Sequence, residues 1–286
     1  MKNYIKLLFI FLILPFIAIA QEDDGKDKKV KEKLERDAFE SSLIIDNPSN
    51  VLLSKDALEV QMQHRFGVVN SDSGNDMAGF WGDSNIRIAL SYGIHERLTI
   101  GYGTTKFNRL QDFNWKLALL RQTRSNSMPI SLTYYGNFTI DARTKDKFSM
   151  IQDRYSYFNQ VIIAKRFNTK LSLQIAPSIS HYNLVHPDME NDLVSVAFGG
   201  RYKISPQTSI LFDYSQPITK FDNDMDPKAG FSIGFEFATS AHEFQLIATN
   251  YNGLVQQKNY MYNQQEFAPF KGQFLIGFNI TRIYNF

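Results

Sequence analysis

Gly230-Phe231-Ser232-Ile233-Gly234-Phe235-Glu236-Phe237 sets large apolar side chains against small or polar ones at every second position. That period belongs to a β-strand with unlike faces, because successive side chains point to opposite sides of the pleat. In a helix, Phe231, Ile233, Phe235 and Phe237 would spiral around the axis and form no face. The same alternation recurs upstream, where Leu58, Val60, Met62, Phe66 and Val68 oppose Glu59, Gln61, Gln63 and Arg65, and His64 breaks the apolar row. Ile86, Ile88, Leu90, Tyr92 and Ile94 oppose Asn85, Arg87, Ala89 and Ser91. Shorter runs follow at Leu98, Ile100 and Tyr102, at Phe113, Trp115, Leu117 and Leu119 against Asn114, Lys116 and Ala118, and at Ile130, Leu132, Tyr134 and Phe138.

Further strands fall near 157–167 and 171–182, then at Val194, Val196, Phe198, Tyr202 and Ile204 against Ser195, Ala197, Gly199 and Arg201. Ile210, Phe212 and Tyr214 flank Asp213, a run covers 243–250, and Phe274, Ile276, Phe278 and Ile280 oppose Gly277, Asn279 and Thr281. No stretch makes a long amphipathic helix. The class is all-β, with about twelve antiparallel strands.

The connections add a topology. Every other one is long and polar, at 70–83, 141–154, 183–192, 217–228 and 253–271, whereas 95–97, 168–170, 205–207 and 239–240 are tight. Short turns at one end and long loops at the other mark an up-and-down transmembrane β-barrel with both termini periplasmic. Two connections run against the pattern, 108–111 being short and 123–128 long. A soluble lipocalin-like barrel or a β-sandwich would also alternate, but would hold its apolar face inside. The polar face here is rich in Gly, Ala, Ser, Asn and Gln and poor in long charged side chains, unlike a surface that meets water. The chain closes on Phe278, Ile280, Tyr284 and Phe286, a series that only Arg282 interrupts. It resembles the terminal-strand signal read by the barrel-assembly machinery, with Tyr284 and Phe286 as its carriers.

The N-terminus reads as an export signal. Lys2 and Lys6 precede an apolar run from Leu7 to Ile19, and Ala18-Ile19-Ala20 offers a small-x-small cleavage site. The expected division is therefore a signal peptide at 1–20, a charged periplasmic segment at 21–56, and an outer-membrane barrel at 57–286. Within that segment, 39–53 is expected to rest against the barrel mouth, ending in the turn-prone Asn47-Pro48-Ser49-Asn50.

There is no cysteine, so neither a disulfide framework nor a thiolate metal site is available. Lys plus Arg number 31 against 29 Asp plus Glu, and the excess is Lys2 and Lys6 of the signal. A neutral mature chain gives no electrostatic case for nucleic acid. The 24 Phe, 14 Tyr and 2 Trp suit the aromatic girdles of outer-membrane barrels.

His64-Arg65-Phe66-Gly67, Asn85-Ile86-Arg87 leading to Tyr92-Gly93-Ile94, and Gly277-Phe278-Asn279-Ile280-Thr281-Arg282 resemble an outer-membrane β-barrel family of Bacteroidetes-type bacteria. Its members are described only as barrels of unknown function, and the resemblance spans about residue 38 to the end. It implies fold and location in a Gram-negative envelope, and supplies no substrate and no catalytic residue.

With the apolar face toward lipid, the lumen receives Glu59, Arg65, Arg87, Lys116, Arg166, Arg201, Asp213, Glu236 and Glu243. Arg65, Arg87, Lys116 and Arg201 could form a basic ladder that selects anionic solutes, but acids and bases that pair across a narrow lumen give the same composition. The five histidines form no constellation with a nucleophile, and no Gly-x-Ser-x-Gly elbow is present, so no enzyme is expected. Asp222, Asp224 and Asp226 alternate like cation ligands, yet the spacing is not that of an EF-hand. No cofactor is expected.

The leading expectation is a narrow pore or small-solute transporter of the outer membrane, in contact with lipid and lipopolysaccharide. The alternative is a plugged structural or partner-binding barrel, favoured if residues 39–53 or crossed ion pairs fill the lumen. A lipid hydrolase is the weakest reading. Replacing Phe286 with Asp is expected to lower the fraction of chain that reaches the folded, heat-modifiable form in the membrane. Unchanged assembly would remove the C-terminal signal from the account.

Overall fold

Twelve antiparallel strands pair in sequence order, and the last pairs with the first, so the sheet closes into a barrel. The computed structural model describes residues 32–70, 76–221, 225–239 and 242–286. The chain divides after Lys33. The expected export signal with Lys2, Lys6 and Ala18-Ile19-Ala20, and the loop carboxylates Asp222 and Asp224, lie outside the described residues.

The strands are β1 (Ala57–Val68), β2 (Asn85–His95), β3 (Leu98–Thr105), β4 (Leu110–Leu120), β5 (Ser131–Asp141) and β6 (Tyr155–Arg166). They continue as β7 (Leu171–Tyr182), β8 (Asp192–Lys203), β9 (Thr208–Pro217), β10 (Gly230–Ala238), β11 (His242–Thr249) and β12 (Leu275–Asn285). Closure runs through β1 and β12 in the register Ala57↔Asn285, Gln61↔Thr281 and Arg65↔Gly277. A closed ring leaves no unpaired strand edge, which is what a sheet needs to cross hydrocarbon.

The two faces settle which kind of barrel this is. Along β2, Ile88 is 51% and Leu90 48% exposed, whereas Arg87 between strands β1 and β3 is 7% exposed. Along β10, Phe235 is 48% exposed and Glu236 1%. Large apolar side chains therefore face outward all round the ring, and polar and charged ones face in. Such an expanse of exposed apolar surface is far beyond what a water-soluble monomer carries, and it matches a lipid-facing band. Arg282 falls on this outer row, where its guanidinium lies over the Tyr284 ring 4.7 Å from the centroid at the very end of β12.

One end of the barrel carries tight turns, at 96–97, 167–170 and 204–207. The opposite end carries the long loops, including 250–274, which contains the short helix α1 (Gln256–Tyr262). The long connection at 121–130 on the turn end has a physical reason. The Glu35 amide donates to the Gln122 carbonyl at 2.8 Å, and Leu34 bridges Thr123. The incoming N-terminal chain pairs with that connection as it enters the barrel.

An Arg in place of Ile233, on the outer face near the middle of β10, is expected to destabilise the barrel by about 2–4 kcal/mol. Urea unfolding in lipid vesicles measures it. A cost near zero would mean that this face does not meet hydrocarbon.

Candidate functional site

The lumen is filled from both ends. Residues 34–40 enter among the turns, the chain rises into the barrel, reverses, and descends to β1. The reversal is a hairpin in which Leu43 bridges Pro48 and the Ile44 amide donates to the Asn47 carbonyl at 2.9 Å. The turn-prone Asn47-Pro48 thus makes its turn, but deep inside the ring. Residues 39–53, expected to rest against the barrel mouth, lie within it. Residues 38–53 are interior, because Ala38, Phe39, Ile44, Ile45, Val51 and Leu53 are apolar and bury themselves there.

The plug has a dry side and a wet side. On the dry side, Phe39, Ile44 and Ile45 pack with Ala164, Leu211 and Ile247, inward residues of β6, β9 and β11. Gly199 on β8 belongs to this seat, since a Cβ there would stand 2.2 Å from Ile44 Cδ1. On the wet side, Lys116 Nζ donates to the carbonyls of Ser42 at 2.5 Å and Val51 at 3.2 Å. The Ser42 hydroxyl donates to Glu59 Oε1 at 2.8 Å, and the Leu53 amide to Thr99 Oγ1 at 3.0 Å.

The tip of the hairpin is held by charge. Asp46 pairs with Arg65 at 2.8 Å, with both side chains almost wholly buried. Its second oxygen accepts from Ser232 Oγ at 2.5 Å and Thr249 Oγ1 at 2.9 Å. Asp213 accepts three donors from the tip: the Asp46 amide at 3.0 Å, the Asn47 amide at 2.9 Å and Asn47 Nδ2 at 2.6 Å. A buried carboxylate saturated this way is stable without a cation at its side.

From the loop end, α1 closes the remaining space. Gln257 Nε2 donates to Asn137 Oδ1 at 3.0 Å and Thr139 Oγ1 at 2.9 Å, and Gln256 Oε1 accepts from the Tyr135 hydroxyl at 3.1 Å. The Tyr260 hydroxyl donates to Asn47 Oδ1, and Gln256 Nε2 to the Asp46 carbonyl at 3.4 Å. Tyr251, Tyr260 and Met261 pack with Phe158, Met189 and Phe221 as an apolar lid. Burial pushes the Lys258 ammonium down to about 8, with Arg143 adding to the shift and Asp141 opposing it. A lysine depressed in the docked state sheds its proton more easily there. Docking of α1 therefore gains as pH rises through about 8 toward the ordinary lysine range.

The sequence-predicted charges take distinct places. Glu59, Arg65, Arg87, Lys116, Arg201, Asp213, Glu236 and Glu243 are all buried within the ring. Arg87 pairs with Asp112 through two hydrogen bonds of 2.8 and 2.7 Å, and Arg201 lies 3.2 Å from Glu236. Glu40 of the incoming chain reaches Arg201 as well. Glu243 accepts from Gln245 at 2.8 Å. Arg166 sits at the turn-end rim, half-buried, beside Glu35 at 3.9 Å and the Asp37 carbonyl at 3.3 Å. Arg65, Arg87, Lys116 and Arg201 do not form a free ladder, because each is engaged by a carboxylate or by the plug. Asp46, Asn47, Asp112 and Gln257 are the partners that sequence reasoning missed.

The histidines stay dispersed. His64 stacks on Phe278 on the outer face, 5.2 Å between centroids, and His181 bonds Asp192 at 2.8 Å near the loop end. Among the described residues no group of three or more His, Asp or Glu is placed to hold a metal ion.

The family model for a membrane bound beta barrel domain, DUF5777, matches residues 39–284. The chain belongs to this family. Its match starts at Phe39 and so takes in the plug as well as the barrel. Among solved structures, the NanC porin aligns at a TM-score of 0.51 with 9% identity, over 80% of this chain and 99% of that one. The COG4313 outer membrane channel from Pseudomonas putida F1 gives 0.47 with 13% identity over 82% and 97%, and the KdgM porin 0.44 with 7% over 80% and 99%. The NanC likeness establishes a shared outer-membrane-type barrel fold. Comparison with curated protein sequences returns no match.

Replacing Arg65 with Met leaves Asp46 charged and unpaired in the lumen, at an expected cost of about 3–5 kcal/mol. Adding Asp46→Asn is expected to recover much of it. Urea unfolding of the single and double variants in vesicles reads both, and additive losses would deny the pair its role.

Proposed function

We propose that this barrel is an outer-membrane channel for small solutes, held closed by residues 38–53 and α1. One observation carries the reading. Wall groups that a pore would present to water are engaged by a hairpin that enters and leaves at the same end. It makes no strand-long pairing with the wall, so it can leave without opening the barrel. The turn end then faces the periplasm, as the short-turn rule of outer-membrane barrels requires, and both termini lie there. Export by residues 1–20, a Bacteroidetes-type Gram-negative envelope, lipopolysaccharide around the loops, and recognition of Tyr284 and Phe286 by the assembly machinery complete the reading. No catalytic role is assigned to any residue.

A second reading has an observation of its own. Plugging from both ends suits a permanently closed barrel whose loops bind a partner. Single-channel recording in planar bilayers separates the two. The wild-type chain is expected to be silent or to open rarely. Asp46→Ala with Asn47→Ala removes several tip hydrogen bonds, and should raise open probability roughly tenfold or more. Folded, heat-modifiable double variant that stays silent would establish the closed barrel instead.

A further inference from the structure

Among the described residues, the buried cations of the wall are of two kinds. Arg65, Arg87 and Arg201 each have a carboxylate within ion-pair distance. Lys116 has none, although it is only 6% exposed. Glu59, 2% exposed, likewise has no cation within that distance, and its Oε2 accepts no hydrogen bond from the protein. Both side chains line one cavity of about 30 Å³ between the plug and β1–β4, together with Arg87, Thr99 and Asn114. Opposite charges thus face the same small space without neutralising each other directly.

The plug indicates what that space accepts. Two carbonyl oxygens, of Ser42 and Val51, sit on the Lys116 ammonium where the oxygens of a carboxylate would sit. The Ser42 hydroxyl donates to Glu59 where an ammonium would donate. The opposite wall packs Ala164, Leu211 and Ile247 against the plug. We propose that, when residues 41–53 withdraw, Lys116 and Glu59 form a binding site for small zwitterionic solutes of the size and charge of a free α-amino acid. A neutral polyol would leave both desolvated charges without a counter-charge, and a simple anion would meet Glu59. Charge-assisted bonds at both ends favour the zwitterion. The site rests on the channel reading above.

Solute-driven swelling of proteoliposomes tests it, using the full mature chain carrying Asp46→Ala and Asn47→Ala to free the plug. Alanine and its neutral isomer lactamide have the same size, so their rates differ through charge alone once protein-free liposomes are subtracted. In this background alanine is expected to enter about fivefold faster than lactamide, as charge-assisted hydrogen bonds outweigh neutral ones. Glu59→Gln or Lys116→Met should bring the ratio to near one, and the exchange Glu59→Lys with Lys116→Glu should restore it, since a zwitterion can bind reversed. A ratio near one in the freed background, or one unmoved by Glu59→Gln and Lys116→Met, overturns the site while leaving the channel. Folded protein that passes neither solute overturns the channel and the site with it.

Discussion

A ring of twelve strands encloses more space than its own inward side chains can fill. Eight strands are about the width that side chains alone can pack, so a wider barrel must hold water, a ligand or more chain. The plug follows from that geometry. Arg65 and Asp213 point into the ring from β1 and β9, and neither has a counter-charge on the wall itself. Their partners arrive with the hairpin, as Asp46 and Asn47. Where a wall pair is close enough to be self-sufficient, as for Arg87 on β2 and Asp112 on β4, the plug is not needed.

The strands were legible because an outer-membrane wall has two unlike environments and a sequence that alternates between them. β7 runs from Leu171 to Tyr182, as alternation and the tight turn before it imply. β6 has bounds close to 157–167, yet its faces could not be told apart from sequence. Phe158, Ile162 and Ala164 are apolar and inward, while Tyr157, Val161 and Ile163 are apolar and outward. That double apolarity was the available sign of a plug, as were the inward Leu211 and Ile247. An apolar lumen residue has no solvent to face and must be covered. α1 left no comparable trace. Gln256, Gln257, Asn259 and Tyr260 carry no helical periodicity, and their partners on β5, β6 and β9 lie far away in sequence.

The two sides of the plug differ in how they hold. On the dry side, the seat of Ala164, Gly199, Leu211 and Ile247 gains by excluding water, and the gain is spread over many weak contacts. On the wet side, a few hydrogen bonds to Lys116, Glu59 and Thr99 are exchangeable with water or with a polar solute. Water that enters the barrel can replace the second set one bond at a time, but can replace the first only by exposing apolar surface. In the proposed channel, opening therefore starts along β1–β4, where the charged cavity already lies.

The hairpin and α1 are hydrogen-bonded at Asp46-Asn47, through Gln256 and Tyr260. Each piece supplies part of the other's binding site, so each is more stable in place when its neighbour is docked. Thermodynamic linkage makes the effect mutual: whatever draws α1 toward the loops weakens the hold on the hairpin by the same free energy, and the reverse is also true. Asp213 sharpens this dependence. Its carboxylate is buried and satisfied by amide donors of the tip alone, apart from the wall that carries it. In the proposed channel, that charge must find water as soon as the tip leaves, so partial withdrawal is costly and a barrier separates the closed arrangement from the open one.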